Sequence, residues 1–145
     1  MPNIRFLFIF IILYQPIQGK VKLGIDVLAK NNFSIIKNKK VGLIINHTSI
    51  NSNWRSTIEI IAESNVCEVV AIFTPEHGFD GKLDEYINYG DNLIYNVPVY
   101  SLYGETLRPE KKMIRNIDYL IFDILDVGTR FYTYIGTMKY CMEVA

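Results

Sequence analysis

A glutamate and a histidine stand side by side at the end of an apolar stretch of the chain. Residues 69–74 read Val-Val-Ala-Ile-Phe-Thr, and Pro75 separates them from Glu76 and His77. Continuous apolar, β-branched runs are typical of strands buried on both faces of a parallel sheet, and ligands of such sheets bind beyond the carboxyl ends of the strands. A carboxyl group at an apolar strand end is partly desolvated, which suits a general acid. We therefore predict that Glu76 is a catalytic acid and that His77 binds substrate or orients Glu76. The alternatives are a turn-capping carboxylate and a structural histidine.

Polar side chains also follow two other apolar stretches, residues 41–45 and residues 118–125. Because parallel strands end at one edge of a sheet, all three groups are expected to share one cleft. The first group is predicted to bind substrate, although a structural role is favoured for His47, and the second group is predicted to supply another catalytic carboxylate and a guanidinium. The two groups are Asn46, His47 and Thr48, and Asp126 and Arg130.

Arg130 and the tyrosines suggest what kind of substrate the cleft binds. The planar guanidinium of Arg130 fits a carboxylate, either on the substrate or on Asp126. Tyr103 and Tyr132 have flat amphipathic rings that suit sugars, although they could simply be core aromatics.

Several other kinds of chemistry lack their sequence signals. The chain has no Gly-rich dinucleotide fingerprint, phosphate loop, His-Glu-x-x-His or Gly-x-Ser-x-Gly motif, so we predict no cofactor. His47, His77 and Asp126 have no metal-ligand spacing, and no metal site is predicted. Fifteen basic residues balance fifteen acidic ones, which argues against a nucleic-acid partner. Cys67 and Cys141 are expected to be free, buried thiols.

The N-terminal residues 1–19 resemble a secretory signal peptide. Arg5 precedes an apolar run over residues 6–14, and a polar segment ends at Gly19. The run is shorter than the roughly 20 residues that a membrane-spanning helix needs. We therefore predict cleavage near Gly19, a secreted or periplasmic protein, and no stable membrane span afterwards. An uncleaved anchor and a buried N-terminal strand are the alternatives.

Strand and helix patterns alternate over residues 20–145, which predicts an α/β domain with βαβ units. A helix is expected after caps at residues 51–53, with Trp54, Ile58 and Ile61 on its apolar face. The last helix has no C-terminal cap, so we expect the domain to be incomplete. The predicted strands cover residues 39–45, 67–74, 97–102 (broken by Pro98) and 118–125, and two further helices cover residues 109–116 and 134–145, with a long loop over residues 78–97.

Five ordered blocks between Leu23 and Ala145 resemble the NamZ/YbbC family of exo-acting β-N-acetylmuramidases. The resemblance implies a Rossmann-like three-layer domain with a mainly parallel sheet, truncated before a smaller C-terminal domain. It also implies a hydrolase that releases N-acetylmuramic acid from the non-reducing ends of peptidoglycan fragments during cell-wall turnover. Within the family pattern, Glu76 is the leading catalytic candidate, and the lactyl carboxylate of the sugar is a plausible partner for Arg130. Leu125 departs from the Gln that is usual there, and Asp80 from a frequent Arg. The blocks are residues 24–28, 41–48, 75–79, 98–104 and 122–134.

Two other functions are compatible with the same residues. A non-catalytic envelope protein would bind muropeptides or another sugar through the tyrosines and Arg130. An inactive, truncated gene product would have neither activity.

Overall fold

A single sheet of five strands is the centre of the fold in this computed structural model, which describes residues 21–81 and 93–145. The strand order is β3-β4-β2-β1-β5. Four strands are parallel, and the short β3 pairs antiparallel with β4 at one edge. The predicted α/β class with a mainly parallel sheet is therefore confirmed. The strands are β1 (Lys40–Ile45), β2 (Glu68–Thr74), β3 (Leu93–Ile94), β4 (Val97–Ser101) and β5 (Tyr119–Asp123).

Helices cover both faces of the sheet, which makes the domain three-layered. Ile25 and Ile58 pack with Leu43 in one apolar cluster, whereas Cys141 packs with Ile44 in a second cluster. Successive residues of β1 thus face opposite helical layers, which explains why the strand is apolar throughout instead of alternating. The helices are α1 (Gly24–Lys30), α2 (Thr57–Ser64), α3 (Lys111–Ile114) and α4 (Tyr134–Val144), with a short 3-10 helix at Ser34–Ile36.

The start of α2 differs from the prediction. Ser56 caps the helix, and its hydroxyl accepts a hydrogen bond from the Glu59 amide at 3.3 Å. Trp54 therefore lies before the helix and is 83% exposed, so its assignment to the apolar face was wrong. Spacing alone could not distinguish Ser56 from the earlier polar residues, because Ser and Asn are both good caps.

Smaller differences concern β4, α3 and β5. Pro98 lies inside β4 and does not interrupt it, because the pairing of β4 with the parallel strand β2 begins one residue later, at Val99. Proline is tolerated in a strand where its nitrogen need not donate to a neighbour. The helix after Pro109 begins at Lys111 and is shorter than predicted. The strand predicted over residues 118–125 ends at Asp123.

Some sequence predictions concern residues that the structure does not describe. The signal peptide, residues 1–19, and most of the long loop, residues 82–92, lie outside the described residues. Within residues 21–81 and 93–145, no helix is both long and apolar enough to cross a bilayer. Cys67 and Cys141 are both free cysteines, and Cys141 is buried as predicted, whereas Cys67 is only partly buried.

Candidate active site

The carboxyl ends of three parallel strands lie side by side at one edge of the sheet. β1 lies between β2 and β5, with Ile44 paired to both Phe73 and Phe122. The loops that follow these strands therefore start from neighbouring positions. They carry the three polar groups that the sequence analysis placed at strand ends.

These loops enclose a cleft of about 480 Å³, which we call the central cleft. Glu76 and His77 enter it from β2, and His47 and Thr48 enter it from β1. The segment between β5 and α4 supplies the remaining wall. That segment contributes Leu125, Val127, Phe131, Tyr132, Thr133 and Tyr134.

Glu76 belongs to the walls of two adjoining clefts. Besides the central cleft, its side chain lines a smaller cleft of about 330 Å³ that also contains Tyr103, Tyr132 and Tyr140, which we call the tyrosine cleft. Glu76 is partly buried. A ligand that extended from one cleft into the other would therefore pass directly by this carboxylate.

A threonine hydroxyl holds the Glu76 carboxylate. Thr133 Oγ1 donates to Glu76 Oε2 at 2.8 Å. Thr133 is the N-cap residue of α4, yet its side chain makes no capping hydrogen bond. The hydroxyl that would usually stabilise the start of a helix is used instead to orient the carboxylate.

Tyr134 lies within electrostatic range of both predicted catalytic carboxylates. Its side chain is only 7% exposed. Burial raises the pKa of the Tyr134 phenol, and the neighbouring Tyr132, Glu76 and Asp126 raise it further, whereas the polar side chain of Asn46 acts in the opposite direction. The phenol therefore keeps its proton at neutral pH and can donate a hydrogen bond.

A hydrogen-bond network joins the loops after β1 and β5. Asn46 Oδ1 accepts hydrogen bonds from Thr48 N at 2.9 Å and from Thr48 Oγ1 at 2.7 Å. The same Thr48 hydroxyl accepts a bond from the Leu125 amide at 3.0 Å. Nearby, Ser49 Oγ donates to the backbone oxygen of Asp123. These bonds fix the two loops against each other.

Three buried polar atoms at this edge have no hydrogen-bond partner within the described part of the chain. They are Asn46 Nδ2, Thr74 Oγ1 and Asp126 Oδ2. The second oxygen of Asp126 accepts a bond from the Gly128 amide at 2.6 Å. Buried polar atoms in native proteins are nearly always paired. Asn46 and Thr74 are almost fully buried, whereas Asp126 is partly exposed, so Asp126 Oδ2 is the atom suited to bind water or a ligand.

His47 has a close neighbour that the sequence did not indicate. Gly81 adopts φ +66°, and a Cβ atom at this position would lie only 2.0 Å from His47 Nδ1. A side chain at position 81 would therefore displace the imidazole. The glycine allows the loop after β2 to lie directly against the ring.

The predicted site residues are only partly brought together. Arg130 is exposed, forms no ion pair with a described residue, and is absent from the walls of the central and tyrosine clefts. The prediction that Arg130 shares the cleft with Glu76 therefore differs from the structure, because Gly128 at φ +72° turns the chain before it. Tyr103 lines the tyrosine cleft alone, whereas Tyr132 lines both.

Two residues of the site, Thr133 and Tyr134, were missing from the predicted set. Tyr134 is the first residue of α4, and its side chain is buried there. Their position directly before a helix and shortly after a strand end was the only signal. The described residues contain no cluster of three or more metal-ligating side chains.

Comparisons with known proteins relate the chain to cell-wall enzymes. Residues 41–145 match the family described as "Exo-beta-N-acetylmuramidase NamZ, N-terminal". The chain is 46% identical over 129 residues to the peptidoglycan beta-N-acetylmuramidase NamZ of Bacillus subtilis strain 168, which covers 87% of this chain and 31% of that protein.

Two crystal structures of DUF1343 family proteins from Bacteroides fragilis NCTC 9343 have the same fold. One superposes with a TM-score of 0.77 at 42% identity, and the other with a TM-score of 0.67 at 38% identity. Each comparison covers 86% of this chain and 31% of the other. The chain thus spans about a third of the length of these relatives.

Proposed function

The chain belongs to the family of NamZ N-terminal domains, and from this premise we propose that it is the catalytic part of an exo-acting β-N-acetylmuramidase. The proposed reaction releases N-acetylmuramic acid from the non-reducing ends of peptidoglycan fragments. The proposed location is the bacterial cell envelope, after removal of residues 1–19. Residues 20–145 would then form an N-terminal catalytic domain that acts with a C-terminal domain like that of longer relatives.

The position of Glu76 between two clefts is the observation that carries this proposal. Glycoside hydrolases protonate the oxygen that joins the departing sugar to the rest of the glycan. A glycan that passed from the tyrosine cleft to the central cleft would present such an oxygen beside the Glu76 carboxyl. Thr133 holds that carboxyl by its 2.8 Å hydrogen bond. We therefore assign Glu76 as the general acid.

Asp126 is the proposed second group of the reaction, although it is not itself a wall residue of the central cleft and lies between the wall residues Leu125 and Val127. Its buried Oδ2 atom has no described partner and would accept a hydrogen bond from a water molecule or a sugar hydroxyl. Tyr134 lies near both carboxyl groups, and its neutral phenol would donate a hydrogen bond to the substrate. His47, Thr48 and His77 would bind the sugar from the walls of the central cleft.

Hydrolysis of a chromogenic β-N-acetylmuramide tests this assignment. We expect Glu76→Gln to lower kcat by about 10² to 10⁴-fold, the usual contribution of general acid catalysis. Glu68→Gln is the matched control, because Glu68 begins the strand β2 at the opposite edge of the sheet and its side chain is exposed. Wild-type rates from Glu76→Gln would remove Glu76 from the mechanism.

Binding without hydrolysis is the second candidate function. The chain spans 31% of the enzyme from Bacillus subtilis, and the clefts are formed by residues of this span, which supports sugar binding independently of turnover. Calorimetric titration with a muropeptide distinguishes the two functions. Binding by a wild-type chain that leaves the chromogenic substrate intact would favour the second candidate.

A further inference from the structure

A third cleft continues from the central cleft on the side away from Glu76. It has a volume of about 570 Å³ and shares His47, Thr48 and Leu125 with the central cleft. Trp54 lies on its far side, and we call it the Trp54 cleft. The edge of the sheet therefore carries three clefts in a row, with Glu76 between the first two.

Trp54 presents its indole to solvent from a loop that is fixed in place. The side chain is 83% exposed, and the backbone adopts φ +63°, a conformation uncommon for a bulky residue. Trp54 N donates to Asn51 O at 3.0 Å, and Asn51 Oδ1 accepts bonds from the Asn53 and Arg55 amides at 2.9 Å each. An antiparallel bridge between Ile50 and Ser56 closes the loop.

The anchor of this loop lies on α2. The guanidinium of Arg55 forms ion pairs with Glu59 at 3.1 Å and with Glu63 at 2.6 Å. The loop is therefore ordered before any ligand binds. A preorganised loop loses less conformational entropy on binding than a mobile one.

The chemistry of the Trp54 cleft suits a sugar ring. An indole offers a flat apolar face, and Asn51, Ser52, Thr48 and His47 place polar groups around it. A pyranose has the complementary pattern, with C–H groups on its faces and hydroxyls around its rim. Because this cleft is continuous with the central cleft, we infer that its ligand is a sugar of the same glycan.

The sizes of the clefts give the direction of the glycan. An exo-acting enzyme accommodates one sugar on the terminal side of the cleaved bond and a longer chain on the other side. The tyrosine cleft, of about 330 Å³, is the smallest of the three, whereas the central and Trp54 clefts together form the longer path. The terminal sugar is therefore assigned to the tyrosine cleft.

We propose that Trp54 stacks on the second sugar of the leaving group, which makes the Trp54 cleft an additional glycan subsite. This inference rests on the proposed function and deepens it. It makes longer glycans better ligands than single sugars. Trp54 is a binding residue in this proposal and takes no part in the bond cleavage.

Trp54 is the only tryptophan in the sequence, so its fluorescence reports on this cleft directly. The Glu76→Gln chain is titrated with two peptide-free probes, methyl β-N-acetylmuramide and the tetrasaccharide of alternating N-acetylmuramic acid and N-acetylglucosamine. We expect the tetrasaccharide to shift the emission to shorter wavelength and the monosaccharide to leave it unchanged.

Calorimetry on a second set of variants measures the affinity. Adding Trp54→Ala is expected to weaken tetrasaccharide binding about tenfold, which corresponds to about 1.4 kcal/mol, and to leave monosaccharide binding unchanged. Tyr95→Ala is the matched control and is expected to change neither affinity. Tyr95 is also an exposed aromatic residue with positive φ, but it lies in the turn between β3 and β4.

Three results would overturn the inference while the proposed function stands. One is tetrasaccharide binding that leaves the Trp54 emission unchanged and that is equally tight in Trp54→Ala. Another is an emission shift with the monosaccharide, which would reverse the direction of the glycan. The third is a free chain whose emission resists acrylamide quenching, since a second copy of the chain would then cover the indole. Failure of both probes to bind, with no hydrolysis by the wild-type chain, would instead remove the proposed function itself.

Discussion

Replacing Gly128 with Ala and Gly136 with Ala adds the same methyl group at two positions that differ in backbone conformation. At neither position would the new Cβ atom meet another residue within 4 Å, so steric overlap cannot distinguish the variants. Gly128 adopts φ +72°, whereas Gly136 lies in the helix α4. An L-residue in the left-handed conformation costs about 1–2 kcal/mol, while Gly→Ala within a helix stabilises by about 0.5–1 kcal/mol.

The difference between the two variants isolates the backbone strain. Both substitutions restrict the unfolded chain equally, so that contribution cancels when the variants are compared. The remaining difference in unfolding free energy is about 1–2 kcal/mol, which corresponds to about 3–8 °C in Tm for a chain of this size. We expect Gly136→Ala to melt above the wild type and Gly128→Ala to melt below it.

Thermal and urea unfolding followed by circular dichroism measures this difference. The urea m-values should agree among the three proteins, so that a change in midpoint reports stability alone. Gly128 also donates the 2.6 Å hydrogen bond to Asp126, so relaxation of this turn would move a predicted catalytic carboxylate. Equal Tm shifts in the same direction for both variants would refute the assignment of a left-handed residue at position 128.

Two further predictions concern titrating groups. Burial raises the pKa of the Cys141 thiol from 9.0 to about 11, which lowers its thiolate fraction about a hundredfold near pH 8. In the variant Cys67→Ser, Cys141 is the remaining thiol, and it should react with Ellman's reagent at least about a hundredfold more slowly than a free cysteine. A reaction rate comparable to that of a free cysteine would contradict the burial of Cys141. Burial also raises the pKa of Tyr134 above 10.0, so the folded state holds this proton more tightly than the unfolded state, and the stability present below about pH 10 is lost as the pH rises through the folded value. The variant Tyr134→Phe lacks this titrating group, so its unfolding free energy should fall less than that of the wild type when the pH is raised from about 9 to about 11. Urea titrations at the two pH values measure this fall, and an equal fall in both proteins would contradict the raised pKa.

The positions of the strands were largely predictable from the sequence. β1, β2 and β5 were predicted to within two residues at each end, because strands buried on both faces must be apolar throughout. The polar residues that follow such strands necessarily start from one edge of a parallel sheet. Glu76 was accordingly predicted at the mouth of a cleft, where the structure has it.

The surroundings of Glu76 were not predictable in the same way. Thr133, which donates to Glu76, is 57 residues away along the chain, and neither residue type indicates the other as its partner. Tyr134 begins the last predicted helix, and nothing in that helical pattern places it near two carboxylates. Helical spacing reports which residues share a face, but it does not report what that face contacts.

Trp54 and Arg130 show most clearly what the tertiary structure decided. The sequence determined an α/β domain with a parallel sheet and a carboxylate at its edge, since these follow from local apolar patterns. It assigned Trp54 to the core and Arg130 to the cleft, whereas the structure exposes both. Capping by Ser56 and the left-handed turn at Gly128 redirect the chain at these points. Such choices depend on competition between local hydrogen bonds and long-range packing, so only the folded chain settles them.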